Sequence, residues 1–292
     1  EDFFIKGANV TTFIDELALK DHRGLEVKKL TADFTYTKKN ILLEQLAMNT
    51  PNSEMKGRVE LKYDRKDFSD FNNKVVFDVE FDKASIASND LNFFYNEFGK
   101  NNIFYVDTHL VGTLNNFTTH NLKLTDKNQS EIIGTANFQN LFGKGNQEFY
   151  MKGSFDRITS DYEALKIIMP RVLGKNLPSV LAKLGRVDLN GDVELTQKYI
   201  NANVYLLSKL GIVDGDLAIQ NIDNIDNASY QGNIKLDNFD LGTLLSEKDL
   251  GKTTLDLDVD GKGFTQKLLN TSIEGTIKKF YYNGFLIVMI QI

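Results

Sequence analysis

Thr254-Leu255-Asp256-Leu257-Asp258-Val259-Asp260 alternates apolar and acidic residues without a break. In an extended chain successive side chains point to opposite faces, so Leu255, Leu257 and Val259 share one face and the three aspartates the other. The stretch reads as a β-strand with one wet side.

The same grammar spreads outward in both directions. A glycine enters an alternating run at Lys56-Gly57-Arg58-Val59, Val111-Gly112-Thr113-Leu114, Ile133-Gly134-Thr135-Ala136 and Lys152-Gly153-Ser154-Phe155, and again at Asn190-Gly191-Asp192-Val193, Gln231-Gly232-Asn233-Ile234 and Glu274-Gly275-Thr276-Ile277. Several of these glycines lie about 20 residues apart, the length of two strands and two turns, which marks a degenerate hairpin repeat. Glycine inside a strand pattern signals a bulge or bend that curves the sheet. With only 3 prolines and with β-branched and aromatic residues in short runs, strands dominate the 292 residues. Helical signals are few: Tyr162 to Val172 behind a Ser160 or Asp161 cap, Ser179 to Leu184 behind Pro178, and Leu91 to Phe98 behind Asn89/Asp90, stopped by Gly99. The fold class expected is mostly β, a long curved antiparallel meander forming a half-pipe or folded groove, with a few short helices. No Pro/Gly/Ser-rich linker divides residues 1–292, so they read as one continuous repeat region with a short helical insert at 160–185.

Composition narrows the function. Apolar residues make up 41% and charged residues 25%, which suits an ordered chain with a sizeable core. The net charge of −6 comes from lysines and carboxylates intermixed along the whole length. No basic patch tracks a phosphate backbone, so no nucleic-acid partner is expected. Zero cysteines exclude disulfides, thiolate nucleophiles and Cys-based metal sites.

Three short helices cannot cover so much sheet. A meander with one apolar face must fold over itself or leave a trough, and burial at about 25 cal/mol per Å² drives any apolar ligand into it. The ligand suited to a long apolar trough is an acyl chain. Its expected lining is Val193, Leu195, Val204, Ile234, Leu236, Leu255, Leu257 and Val259.

Longer stretches carry a family likeness. Asp90-Leu91-Asn92-Phe93-Phe94-Tyr95-Asn96-Glu97-Phe98-Gly99-Lys100, Val111-Gly112-Thr113-Leu114-Asn115-Asn116-Phe117, Gly174-Lys175-Asn176-Leu177-Pro178, Ile222-Asp223-Asn224-Ile225-Asp226-Asn227-Ala228 and the run from Asp249 to Phe264 resemble the TamB-type translocation and assembly module proteins of the AsmA-like superfamily. The resemblance spans Ile14 to Gly284, and the run from Phe285 to Ile292 departs from it. It implies a segment of a non-enzymatic periplasmic groove that passes phospholipid between inner and outer membranes and serves outer-membrane biogenesis. It also implies tethering to the inner membrane, and work beside a BamA/TamA-type barrel through parts outside this chain. The chain is accordingly expected to be an internal piece of a longer protein, its anchor lying elsewhere. A competing reading is a structural or adhesive β-repeat scaffold that binds proteins through its polar outer face.

The motifs for chemistry are weak. Asp256, Asp258, Asp260 and Gly261 match the first half of a calcium loop, but Lys267 stands where the bidentate glutamate belongs. Gly251-Lys252-Thr253 lacks the glycine and the helix of a phosphate loop. His22, His109 and His120 are the only imidazoles, and His109 and His120 lie in neighbouring strand-like segments, where surface placement is the ordinary outcome. No catalytic residue, metal or cofactor is expected. A charge in a narrow apolar trough costs several kcal/mol. Leu257→Asp or Leu236→Asp in a folded protein is therefore expected to block lipid passage and raise the detergent sensitivity of cells, with Leu257→Ala nearly silent.

Overall fold

The computed structural model describes residues 4–6, 9–22, 24–94, 98–141, 148–168, 179–222, 224, 226–263, 268 and 270–291. The chain, read from sequence as one continuous region, holds two compact units, Glu1–Phe149 with Ile168–Arg171 and Tyr150–Ile167 with Val172–Ile292. In the first, β1 (Phe4–Lys6), β2 (Asn9–Lys20), β3 (Glu26–Tyr36), β4 (Asn40–Asn49), β5 (Glu54–Lys62), β6 (Val76–Ala87), β7 (Ile103–Thr113), β8 (Asn116–Asp126) and β9 (Glu131–Gln139) each pair antiparallel with the next. In the second the same holds for β10 (Tyr150–Ser160), β11 (Val187–Thr196), β12 (Tyr199–Ser208), β13 (Gly211–Gln220), β14 (Ser229–Asp240), β15 (Leu250–Lys262), β16 (Asn270–Tyr282) and β17 (Phe285–Gln291). The protein is mostly β, an antiparallel meander with few short helices, as the alternation requires.

Six of the seven recurring glycines, all but Gly153, have positive φ, between 130° and 156°. At Gly232 (φ 144°) a Cβ would stand 1.9 Å from the Asp216 carbonyl oxygen on the neighbouring strand, and at Gly57 1.8 Å from that of Glu80. Only a residue without a side chain lets the two backbones come so close.

The bulges lie elsewhere, a correction to the reading of glycine as bulge. One extra residue enters between Leu43 and Leu46, Phe81 and Ala84, Thr119 and Leu122, and Leu236 and Phe239. Each insertion holds a left-handed polar residue, namely Gln45, Lys83, Asn121 or Asn238, with φ of 48–51°. The extra residue returns the next apolar side chain to the inner face, so in these four strands the apolar face is kept by breaking the period of two.

The described helices are α1 (Arg65–Asp70, 3-10), α2 (Phe71–Lys74), α3 (Ser88–Phe94), α4 (Tyr162–Ile168), α5 (Ser179–Leu184, 3-10) and α6 (Leu241–Leu245). Asp161 caps α4 as expected, accepting from the Ala164 amide at 2.9 Å. Met169, Pro170, Val172 and Pro178 lie outside the described residues. α3 begins at Ser88, before the expected cap, and Phe98 lies beyond it. Asp90 sits within its first turn and accepts from Thr50 Oγ1 at 2.6 Å, from Asn52 Nδ2 at 3.1 Å and from the Ser53 hydroxyl, pinning α3 to the β4–β5 turn. The Asn92 side chain donates to the Phe98 carbonyl at 2.8 Å and accepts from its amide at 3.0 Å, which ties Phe98 back to α3.

The cores sit on the apolar faces: Val27, Leu30, Ala32 and Leu46 in the first unit, and Leu184, Leu210, Leu236, Phe239, Leu255 and Leu257 in the second. Gly215 tests the glycine argument within the same sheet. Its Cβ would meet Leu217 Cδ1 at 3.9 Å and the Asn233 oxygen at 4.0 Å, both ordinary contacts. In denaturant titrations Gly232→Ala is expected to lose about 2–4 kcal/mol, and Gly215→Ala to stay within about 1 kcal/mol of the native chain.

Candidate functional site

Register in the second unit gathers the expected lining into four parallel rows. The first runs Ile158, Leu189, Leu206, Val213, Leu236, Leu255, Ile277; the second runs Phe155, Gly191, Val204, Gly215, Ile234, Leu257, Gly275. The third runs Gly153, Val193, Ala202, Leu217, Gly232, Val259, Ile273; the fourth runs Met151, Leu195, Ile200, Ile219, Tyr230, Gly261, Thr271. All eight sequence-derived positions therefore stand on one face.

They do not share one environment. Leu236, Leu255 and Leu257 are buried core, and Leu181 and Leu184 of α5 and Leu244 of α6 pack into the same cluster. Lys183 Nζ donates to the Leu244 carbonyl at 2.8 Å and to the Ser246 hydroxyl, locking the two short helices together over that end. Ile234 and Val259 are half-buried at the margin of the cluster. Val193, Leu195 and Val204 are half-buried outside it. Along the strands the face passes from a covered end, rows one and two, to an open end, where Val193, Ala202, Leu217, Leu195, Ile200 and Ile219 are all half-buried and Ile273 is 46% exposed. The covered end revises the expected variants. With Leu257 at 8% exposure, Leu257→Ala removes core contacts at about 2–5 kcal/mol, and an aspartate there opposes folding itself.

The opposite face is a ladder of acids and amides. Asp192, Asn203, Asp216, Asn233, Asp258 and Glu274 follow one another across six strands. Carboxylates directly opposite one another repel, and the two asparagines separate the first three aspartates. Asn233 Nδ2 donates to Asp256 Oδ1 and Asp258 Oδ1, both at 3.0 Å. An open concavity of about 520 Å³ lies here, lined in part by Asp216, Asp258, Asp260 and Glu274. Asp256, Asp258 and Asp260 thus stand on strand β15 and not in a calcium loop, and Gly251-Lys252-Thr253 belongs to the same strand. Nearby, Tyr199 Oη donates to Glu194 Oε1 at 2.7 Å, which with burial pushes the phenol up to about 12.

On the outer face of the first unit Arg58, Glu60, Lys62, Asp78, Glu80, His109 and His120 form a second charged surface. Glu60, 9% exposed, accepts from Asn40 Nδ2 and Arg58 Nη2 and lies 3.4 Å from Lys62 Nζ. Burial alone raises its carboxyl, but the bonds from Arg58 and Lys62 outweigh this and hold it below the usual range. Asp78 is lowered too, first by His109 and then by Lys62. Sequence reasoning left these residues unassembled, since only register brings Glu60, Asp78 and His109 into line.

No protein family, curated protein or solved structure matches this chain. Within the structure, the apolar face and the two charged outer faces are what bears on function.

Glu60 gives a signed expectation for pH. Because its folded pKa is lowered, its stabilisation is complete above the ordinary glutamate range and fades as pH falls through the folded value. Glu60→Gln is expected to cost about 1–3 kcal/mol near neutral pH, with the gap from the native chain closing in acid, as followed by urea midpoints across a pH series.

Proposed function

We propose that this chain is a non-enzymatic segment of a periplasmic apolar groove that carries phospholipid acyl chains between the inner and outer membranes in outer-membrane biogenesis. The observation that carries the reading is the open end of the apolar face in the second unit. Rows three and four run across seven strands, a width of about 29 Å at the usual strand spacing. They present aliphatic side chains left half-exposed, and each methylene buried against such a surface contributes about 0.8 kcal/mol. The likeness to TamB-type sequences supplies the envelope setting, the inner-membrane tether and the BamA/TamA-type barrel as partner. A passive conduit needs only an unbroken apolar path, which accords with the absence of a catalytic motif in the sequence.

The alternative, a scaffold binding proteins through its polar face, draws on the acid and amide ladder and its concavity. Titration of the chain with a fluorescent long-chain fatty acid separates the two. Saturable binding is expected, weakened at least tenfold by Leu217→Asp or Leu195→Asp with circular dichroism unchanged, and altered less than twofold by Asp216→Asn. Absence of saturable binding, or binding indifferent to Leu217→Asp and lost in Asp216→Asn, removes the conduit and leaves the scaffold.

A further inference from the structure

The outer face of the first unit places four candidate metal ligands in one patch. Glu80 on β6 stands opposite His109 on β7, and His109 stands opposite His120 on β8. Asp78, two residues before Glu80 on the same face of β6, lies with Oδ1 2.9 Å from His109 Nε2. One donor atom each from Asp78, Glu80 and His109 falls within 4.8 Å of the other two. The His109 and His120 rings lie 5.8 Å apart at their centroids, tilted by 40°.

These spacings fit a first-row divalent cation. Ligands on a tetrahedral zinc at about 2.0–2.1 Å stand about 3.4 Å from one another. The Asp78–His109 pair, at 2.9 Å, lies close to that scale, Glu80 has a donor atom within 4.8 Å of both, and the His120 ring stands next to that of His109. His109 is 39% exposed at its side chain and has room to turn. Imidazole with carboxylate selects zinc, nickel or copper over magnesium or calcium.

The surrounding charge sets the strength. Three carboxylates, Glu60, Asp78 and Glu80, face two cations, Arg58 and Lys62, so the patch carries one net negative charge. Arg58 is committed to Glu60, and Lys62 holds Asp78 Oδ2 at 3.0 Å, which leaves Oδ1 toward His109. Arg58 Nη1, 3.5 Å from that Oδ1, must swing aside. A site so placed is exchangeable and not a permanent structural centre.

We infer that Asp78, Glu80, His109 and His120 form a surface site for an exchangeable zinc-type divalent cation. The chain contains only three histidines, so the imidazole NMR signals of the native protein report the site directly, with His22, 88% exposed at its side chain, as internal reference. Zinc titration is expected to saturate at one equivalent, moving the His109 and His120 signals and leaving that of His22 in place, with magnesium in tenfold excess unable to compete. In calorimetry His109→Ala and His120→Ala are each expected to weaken zinc binding at least tenfold. Absence of a stoichiometric event, equal movement of all three signals, or full affinity in either alanine variant overturns the assignment.

Discussion

Neighbouring strands in this protein meet closely at several glycines, where there is no room for a side chain. At Gly57, Gly191, Gly232 and Gly275 the neighbouring strand's carbonyl oxygen lies about where a Cβ would be, at 1.8–2.2 Å. A side chain there would force the strands apart and loosen the ladder on both sides. In the second unit these glycines share rows with aliphatic side chains, so the same positions that draw the backbones together leave gaps in the apolar surface. The strand seam and the texture of the inner face are therefore one property.

The two faces of the second unit answer different demands. The inner face buries Leu236, Phe239, Leu255 and Leu257 beneath α5 and α6 and leaves its other end half-covered. The outer face holds many carboxylates close together and limits their repulsion by setting Asn203 and Asn233 between three aspartates, leaving Asp258 and Glu274 as the one directly opposed acidic pair in that ladder. In the first unit the equivalent task falls to ion pairs, with Arg58 and Lys62 set among Glu60 and Asp78. Amides separate charge in one unit and cations neutralise it in the other.

Much of this was legible in the sequence, for reasons specific to each element. Thr254 to Asp260 shows its strand and both of its faces because each side chain prefers one solvent strongly. The glycine recurrence announces special backbone positions, although the structure makes them close approaches, and the bulges fall at polar pairs such as Asp82-Lys83 and Asp237-Asn238. A polar pair interrupting an alternation was the available signal, since Asn tolerates the left-handed region and an extra residue needs solvent on its side. The eight inward residues were placed on the right face by period alone. Which of them are core and which stand open was not legible, because that depends on α5 and α6, and α6 is a five-residue turn of helix whose only signal is the Asp240 cap. The pairing of His109 with His120 and Asp78 depends on register, which alternation leaves undetermined.

Every strand pairing described within a unit joins chain neighbours. Such a sheet can assemble in the order in which its chain becomes available, each strand docking on an edge already formed and closing a loop that is short except at helical connections such as β6–β7 and β10–β11. Stability then accrues by nearest-neighbour terms, as in a repeat array, so an outermost strand can detach and re-form while the rest keeps its registers. Growth or loss by whole hairpins preserves both strand direction and the sidedness of the faces, so length is the property such a sheet can change most freely.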